Sequence, residues 1–152
     1  MHTSELPRPA AVVKTLDIFK DPWDFALLVE CYFGVRRFDD FQRALGISRN
    51  VLSKRLKALV AEGVLEKRLY QSKPDRFEYR LTAKGRDLFP IFMAIMRWGE
   101  TWLSDVKPEG WYIHHKQCGH ACSPRLVCNQ CREEINVRDV VVVPHGQSGA
   151  DS

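Results

Sequence analysis

RRFDDFQRALGISRNVLSKRLKALVAEGVLEKRLYQSKPDRFEYRLTAKGR, residues 36–86, decides how this chain is read. It holds fourteen Lys and Arg against six Asp and Glu, a charge of +8, whereas all 152 residues together carry +4. Two helical patterns meet in it at a glycine. The first, 38–45, places Phe38, Phe41 and Leu45 on one inward face at three- and four-residue steps. Gly46 supplies the stop, and Ser48 is the expected cap of the second helix, 49–62. Two short helices joined by a Gly-containing turn form a helix-turn-helix arrangement.

The second of these helices separates its chemistry by face. At about 100° per residue, Leu52, Leu56, Leu59 and Val60 cluster on one arc. Arg49, Asn50, Ser53, Lys54 and Lys57 fill a second arc about 140° wide on the same wheel. Each member of that second arc can hydrogen-bond a phosphate or a base edge. Arg pairs bidentately with guanine and Asn with adenine, while Lys more often meets phosphate. A charged arc alone is usually a solvated surface. Behind a helix and a Gly turn, and ahead of a basic hairpin, it reads as a DNA-facing helix. Arg36 and Arg37, just before the pair, and Ser48 at the turn join the expected DNA contacts.

The hairpin pairs 64–69 with 77–82, and Leu65, Leu69, Phe77, Tyr79 and Leu81 are expected on one face. YQSKPDR between them carries the turn signal Pro74-Asp75. Lys73 and Arg76 stand at its tip, where cations can enter the negative potential of a minor groove.

Outward from this segment lie two more helices before it and one after. A first helix, 12–19, aligns Val12, Leu16 and Phe19; a second, 23–33, opens at Asp21-Pro22 and ends at Gly34. After the cap Thr82 a long helix is expected to run unbroken to residue 105. Leu88, Phe89, Ile91, Phe92, Met93, Ile95, Met96, Trp98, Trp102 and Leu103 make it apolar nearly all round, which demands burial on two sides. One side meets its own domain. The other calls for the same helix of a second copy, a two-fold homodimer presenting two reading helices about one DNA turn apart.

The bulk numbers set the frame. With 45% apolar residues the chain can build one core, and no apolar run reaches the ~18 residues of a membrane span. The start, MHTSELPRPAAVVKTLD, lacks the apolar run of a signal peptide, so a cytoplasmic location is expected. Thiols stay reduced there, so the five cysteines are expected as ligands, core residues or redox groups. The organisation reads as a loose arm (1–10), a winged helix-turn-helix domain (11–106), a Cys/His-rich tail (107–143) and a disordered end (144–152). The fold class is mainly α with a small β wing, dimerised through its N- and C-terminal helices, plus a zinc-ribbon-like appendage.

In the tail, HHKQCGHACSPRLVCNQC (114–131), Cys128-x2-Cys131 has a zinc-knuckle spacing. Cys118-x3-Cys122 would complete a four-cysteine site; His115-x2-Cys118 would complete a Cys3His site. Both are ordinary closed, structural Zn2+ shells. Only five residues part Cys122 from Cys128, which favours His115, while the four-thiol count favours Cys122. Cys118, Cys122, Cys128 and Cys131 rank narrowly first, His115 being the alternative fourth ligand and His120 a weaker option. Reduced thiols or a redox pair are the competing account. The tail has so few apolar residues (Trp111, Tyr112, Ile113, Leu126, Val127, Ile135) that metal would supply much of its folding energy.

LDIFKDPW (16–23), FGVRRFDDFQRALGISRNVLSKRLKALVAEGVLEKRLY (33–70) and FEYRLTAKGRDL (77–88) resemble the HxlR family of winged-helix bacterial regulators, which is related to the MarR type. The resemblance covers about residues 10–106. It implies a dimeric, sequence-specific DNA binder with its recognition helix at 48–62 and its wing at 64–82. Many members open the first helix with a Cys-Pro pair, and some sense aldehydes, quinones or oxidants there. Ala10 and Ala11 occupy those positions here, so thiol sensing at that site is absent. Cys31, among Leu27, Leu28 and Phe33, reads as a small buried hydrophobe. KDPWDF (20–25) also departs from the family's Gly-rich lead into the Trp.

The expected function is a dimeric transcriptional regulator, most simply a repressor, on a palindromic double-stranded DNA operator, released by a signal such as a small-molecule effector. An interaction adaptor on the same scaffold, or a zinc- or redox-responsive switch through the tail, are the alternatives. Catalysis is disfavoured, because no paired carboxylates or phosphate-cradling Gly loop are present.

Overall fold

A computed structural model describes residues 10–103, 105 and 112–141. Residues 1–9 of the expected arm (1–10), the end at 144–152, Trp111, Val142 and Val143 lie outside the described residues. Four helices come first: α1 (Ala10–Ile18), α2 (Pro22–Tyr32), α3 (Phe38–Leu45) and α4 (Arg49–Ala61). Asp21 caps α2 and accepts from the Trp23 N–H at 3.0 Å. The Asp21 N–H in turn donates to the Asp24 carboxylate at 3.2 Å, completing a capping box. Gly46 takes the left-handed conformation (φ 65°) that ends α3, and the Ser48 hydroxyl caps α4 by accepting from the Val51 N–H. Leu27 and Leu28 of α2, Phe41 of α3 and Leu52, Leu56 and Leu59 of α4 fill one core, closed by Val64, Leu65 and Tyr79.

The wing is β1 (Leu65–Ser72) against β2 (Asp75–Leu81), antiparallel, with Leu65 opposite Leu81 and Leu69 opposite Phe77. Its strands run further than the sequence predicts, leaving only Lys73-Pro74 at the tip, and the pairing shifts register at Tyr70. Residues 36 and 37 add a short rung: the Tyr79 N–H donates to Arg36 O at 2.7 Å and Arg37 bridges Glu78. Leu65 and Tyr79 reach the core, but Leu69 and Phe77 are exposed. The expected single buried face therefore holds only at the base. In the outer half Leu69 and Phe77 are exposed rather than packed into the core.

The long helix expected after Thr82 is two pieces. α5 (Ala83–Arg86) is capped by the Thr82 hydroxyl, and α6 (Phe89–Trp102) starts afresh with Pro90 in its first turn. Proline has no N–H to give to Arg86 O and its ring crowds that turn, so the helix re-nucleates. Beyond α6, two two-residue strands, β3 (His114–His115) and β4 (His120–Ala121), form a small hairpin, and Val127 bridges Glu134. The valine run that opens at Val140 reads from its composition as a strand, but Val140 and Val141 are not in one. Arg97 of α6 holds the tail by donating to Pro124 O at 3.2 Å.

Candidate nucleic-acid interface

The helix wheel of α4 becomes real geometry. Leu52, Leu56 and Leu59 are fully buried, while Arg49, Asn50, Lys54 and Lys57 are exposed and Ser53 is half-buried. Arg55 is the exception among the cations. Its guanidinium turns inward to the buried Asp24 carboxylate (3.4 Å) and reaches Asp21 at 3.8 Å. Burial holds the Asp24 carboxyl above its ordinary range, only partly opposed by the Asp21 N–H and by Arg55. Among the described residues its Oδ1 finds no hydrogen-bond partner. The α2 cap thereby fixes the roll of α4, and with it the direction of the basic arc.

Arg49 is pre-positioned but lightly held. Its guanidinium lies over the Phe38 ring at 4.7 Å and donates to Asp39 at 2.9 Å and Gln42 at 3.1 Å. Both members of the Arg49–Asp39 pair are mostly exposed, so the ion pair is worth only roughly 0–1 kcal/mol.

A cleft of about 490 Å³ lies where α3, the start of α4 and the wing meet. It gathers Arg37, Arg49 and Arg76, all expected DNA contacts, with Arg43, Phe38 and Tyr70. Arg37 stacks on Tyr70 at 4.7 Å, and Lys67 covers the Phe77 ring at 4.1 Å. The exposed wing aromatics are thus platforms that aim cations. Arg43 was missed by the sequence reading. The signal was present, because the helix ahead of a recognition helix commonly crosses the DNA backbone. Arg36 is exposed but does not line the cleft. Lys73 sits at the wing tip, and the Ser48 side chain is engaged as the α4 cap.

The cysteines divide sharply. Burial pushes the Cys31 thiol up to about 12, so it stays protonated and behaves as a core hydrophobe. In the tail, Cys118, Cys122 and Cys131 are exposed and Cys128 is half-buried. His115 Nδ1 stands 3.3 Å from Cys118 Sγ. The Cys128 sulfur accepts from the Cys131 and Gln130 backbone N–H groups and meets the Cys131 side chain, which lowers its thiol. Among the described residues, no three His, Cys, Asp or Glu side chains gather where a metal ion would fit. A second cleft, of about 470 Å³, lies between α6 and the tail, lined by Arg97, Trp98, Trp102, Pro124 and Leu126 among others; KDPWDF takes no part in it.

This arrangement has known counterparts. The HxlR-like helix-turn-helix family profile matches residues 18–107. The chain belongs to the HxlR family. An uncharacterized HTH-type transcriptional regulator of Mycobacterium tuberculosis is 43% identical over 136 residues, 88% of this chain and 85% of the relative. That span carries the match past the helix-turn-helix domain into the Cys/His tail. An HTH-type regulator of Bacillus subtilis, YvaP, is 37% identical over 59% of this chain and 84% of its own length. Among solved structures, PA1607, described as a candidate transcription factor, superposes with a TM-score of 0.76 at 28% identity, covering 93% of this chain and 96% of that one. The redox regulator HypR in its reduced form gives 0.57 at 34% identity, over 60% of this chain and 91% of its own. This HxlR-family chain is accordingly a transcriptional regulator with a helix-turn-helix DNA-binding domain, not an enzyme, and its fold is the mainly helical winged type.

Proposed function

We propose that the protein is a homodimeric repressor that reads a palindromic operator with α4 in the major groove and the wing at the flanking minor groove. The carrying observation is the shared cleft: Arg37 and Arg43 of α3 and its cap, Arg49 of α4 and Arg76 of β2 meet on one concave surface, where they outnumber Asp39 and Asp40. Phosphate contacts there set register and affinity, and the Arg49, Asn50 and Ser53 edge selects sequence. Lys54 and Lys57 add phosphate contacts along α4, and Lys73 at the tip adds one at the minor groove.

The dimer is supported by what a single chain leaves bare. Ile91, Ile95, Trp98 and Trp102 follow one face of α6, with Ile95, Trp98 and Trp102 52, 59 and 71% exposed. No residue of α1 is buried, and Val12, Val13 and Leu16 are exposed beside Ala10 and Ala11. Such apolar faces mark association surfaces. Repression follows by occupation of promoter DNA in the cytoplasm, on the nucleoid. The α6–tail cleft has the volume of a small-molecule site, and it is where we place an effector.

Selection from random duplex libraries tests this reading. Enrichment of a palindrome with half-sites roughly 34–36 Å apart, lost in an Arg49→Ala/Asn50→Ala variant, is the expected result. Flat selection with weak, strongly salt-dependent binding would leave only a generic basic surface and would bring the adaptor reading forward.

A further inference from the structure

The tail contains two turns of one design. His115-Lys116-Gln117-Cys118-Gly119 and Cys128-Asn129-Gln130-Cys131-Arg132 share the same spacing, two ligating side chains three residues apart followed by a left-handed residue. The Gly119 N–H donates to His115 O at 2.9 Å, and the Arg132 N–H donates to Cys128 O at 3.0 Å. Gly119 has φ 73° and Arg132 φ 67°; among the described residues Arg132 is the one non-glycine with positive φ. An L residue there costs about 1–2 kcal/mol and persists only where its surroundings over-determine it. Each turn is closed by its own strand rung, His115 with His120 and Val127 with Glu134, and the Cys128 N–H donates to Glu133 O at 2.8 Å.

Within each turn the two donors already face one another, His115 Nδ1 toward Cys118 Sγ and Cys128 toward Cys131. Cys122 belongs to neither turn. Its N–H donates to Ile113 O at 2.8 Å, which places it along the hairpin, two strand positions past His120. At ~3.3 Å per residue this is roughly 6.6 Å from the rung that carries His115. The segment also lacks a core: among residues 112–141 none is buried. Thirty residues with no buried side chain need another source of order, and two preformed chelating turns provide a place for it.

We propose that His115, Cys118, Cys128 and Cys131 form a structural Cys3His zinc site, with Cys122 and His120 outside the shell. Each turn contributes a preformed pair, and the ion draws the two pairs together. His115 binds through Nδ1, the nitrogen that faces Cys118. Four protein ligands close the tetrahedron, so the ion orders the tail against α6 and carries no reaction.

The test uses the full chain purified with zinc. Elemental analysis should give one zinc per chain, and X-ray absorption should fit three sulfurs at about 2.3 Å and one nitrogen at about 2.0 Å. Cys122→Ser and His120→Ala should keep stoichiometric metal. His115→Ala and Cys118→Ser should lose it while retaining the cooperative melt of the helical domain, whose main buried cluster runs from Leu27 to Tyr79 and draws no residue from the tail. Charge-transfer absorption of the cobalt-substituted wild-type chain counts the thiolates independently of any variant. A four-sulfur shell that collapses in Cys122→Ser would overturn the assignment. So would metal retained in both His115→Ala and Cys118→Ser, or less than one equivalent bound after reloading.

Discussion

Replacing Gly85 by alanine sets two effects of opposite sign against each other. Gly85 lies inside α5, where helix propensity alone favours Ala by roughly 0.8–1 kcal/mol. Space opposes it. A Cβ at Gly85 would fall well inside van der Waals contact with Val64 O, 3.0 Å from Leu81 Cδ2 and 3.3 Å from the Val64 carbonyl carbon. That oxygen cannot step aside, because it accepts the Thr82 N–H at 3.1 Å, the Thr82 hydroxyl donates to the adjoining Gly63 O at 2.6 Å, and Val64 is fully buried. Overpacking of this kind costs about 1–3 kcal/mol. Displacing α5 also strains the Tyr32 hydroxyl's bond to Gly85 O, 2.9 Å, worth about 0.5–1.5 kcal/mol.

The steric side wins, and the net expectation is a loss of about 1–3 kcal/mol. Gly99→Ala in α6 is the matched control, since its Cβ would meet only Leu103 Cδ1 at an ordinary 3.7 Å. It should gain up to about 1 kcal/mol from propensity. Urea unfolding at fixed protein concentration reads both as midpoint shifts at constant slope. Because β1 starts directly after Val64, Gly85→Ala should also weaken operator binding at temperatures where the variant is fully folded. A Gly85→Ala protein as stable as the wild type would refute the close-packed junction between wing base and α5.

Three further outcomes follow from the same geometry. Lys54→Ala with Lys57→Ala should leave stability within about 0.5 kcal/mol and lower the salt slope of DNA binding by about 2; an unchanged slope would remove both from the phosphate contacts. Burial raises the Asp24 carboxyl, so its contribution to stability is full below about 3.9, the unfolded value, and is lost as pH rises through the folded one. Asp24→Asn should therefore gain relative to wild type between about pH 4 and pH 7 in parallel melts, and a falling difference would show that the Arg55 pairing outweighs burial. Ile95→Asp on the exposed α6 face should yield a folded monomer by light scattering, with operator affinity reduced at least tenfold; a dimer of unchanged affinity would move the interface elsewhere.

The sequence made α2 to α4 legible because their signals are local. Asp21-Pro22, Gly46 and Ser48 act within one turn of the backbone, and the three- and four-residue steps of Phe38, Phe41 and Leu45 decide a face without reference to the rest of the chain. Pro90 was an equally local signal, and a helix drawn through it ignored the missing donor. Arg55 illustrates a different limit. The helix wheel leaves it outside the basic arc and says nothing of its partner, because Asp24 lies 31 residues away and only the packed pair of helices brings them within 3.4 Å.

A pattern of apolar residues reports which face is sticky and never what covers it. Leu69 and Phe77 alternate just as Leu65 and Tyr79 do, but they lie beyond the buried core and stay exposed to solvent. The tail poses the same problem with ligands, because spacing alone cannot separate Cys122 from His115, whereas the hydrogen bonds closing each turn support the pairing of His115 with Cys118 proposed above. α6 carries the argument furthest. Folding hides Met93 and leaves Ile91, Ile95, Trp98 and Trp102 bare. A side chain the size of Trp contributes strongly to association when buried and to aggregation when not. A helix apolar on nearly every side is therefore accounted for within one chain only in part, and the remainder is the face we propose for a second copy of itself.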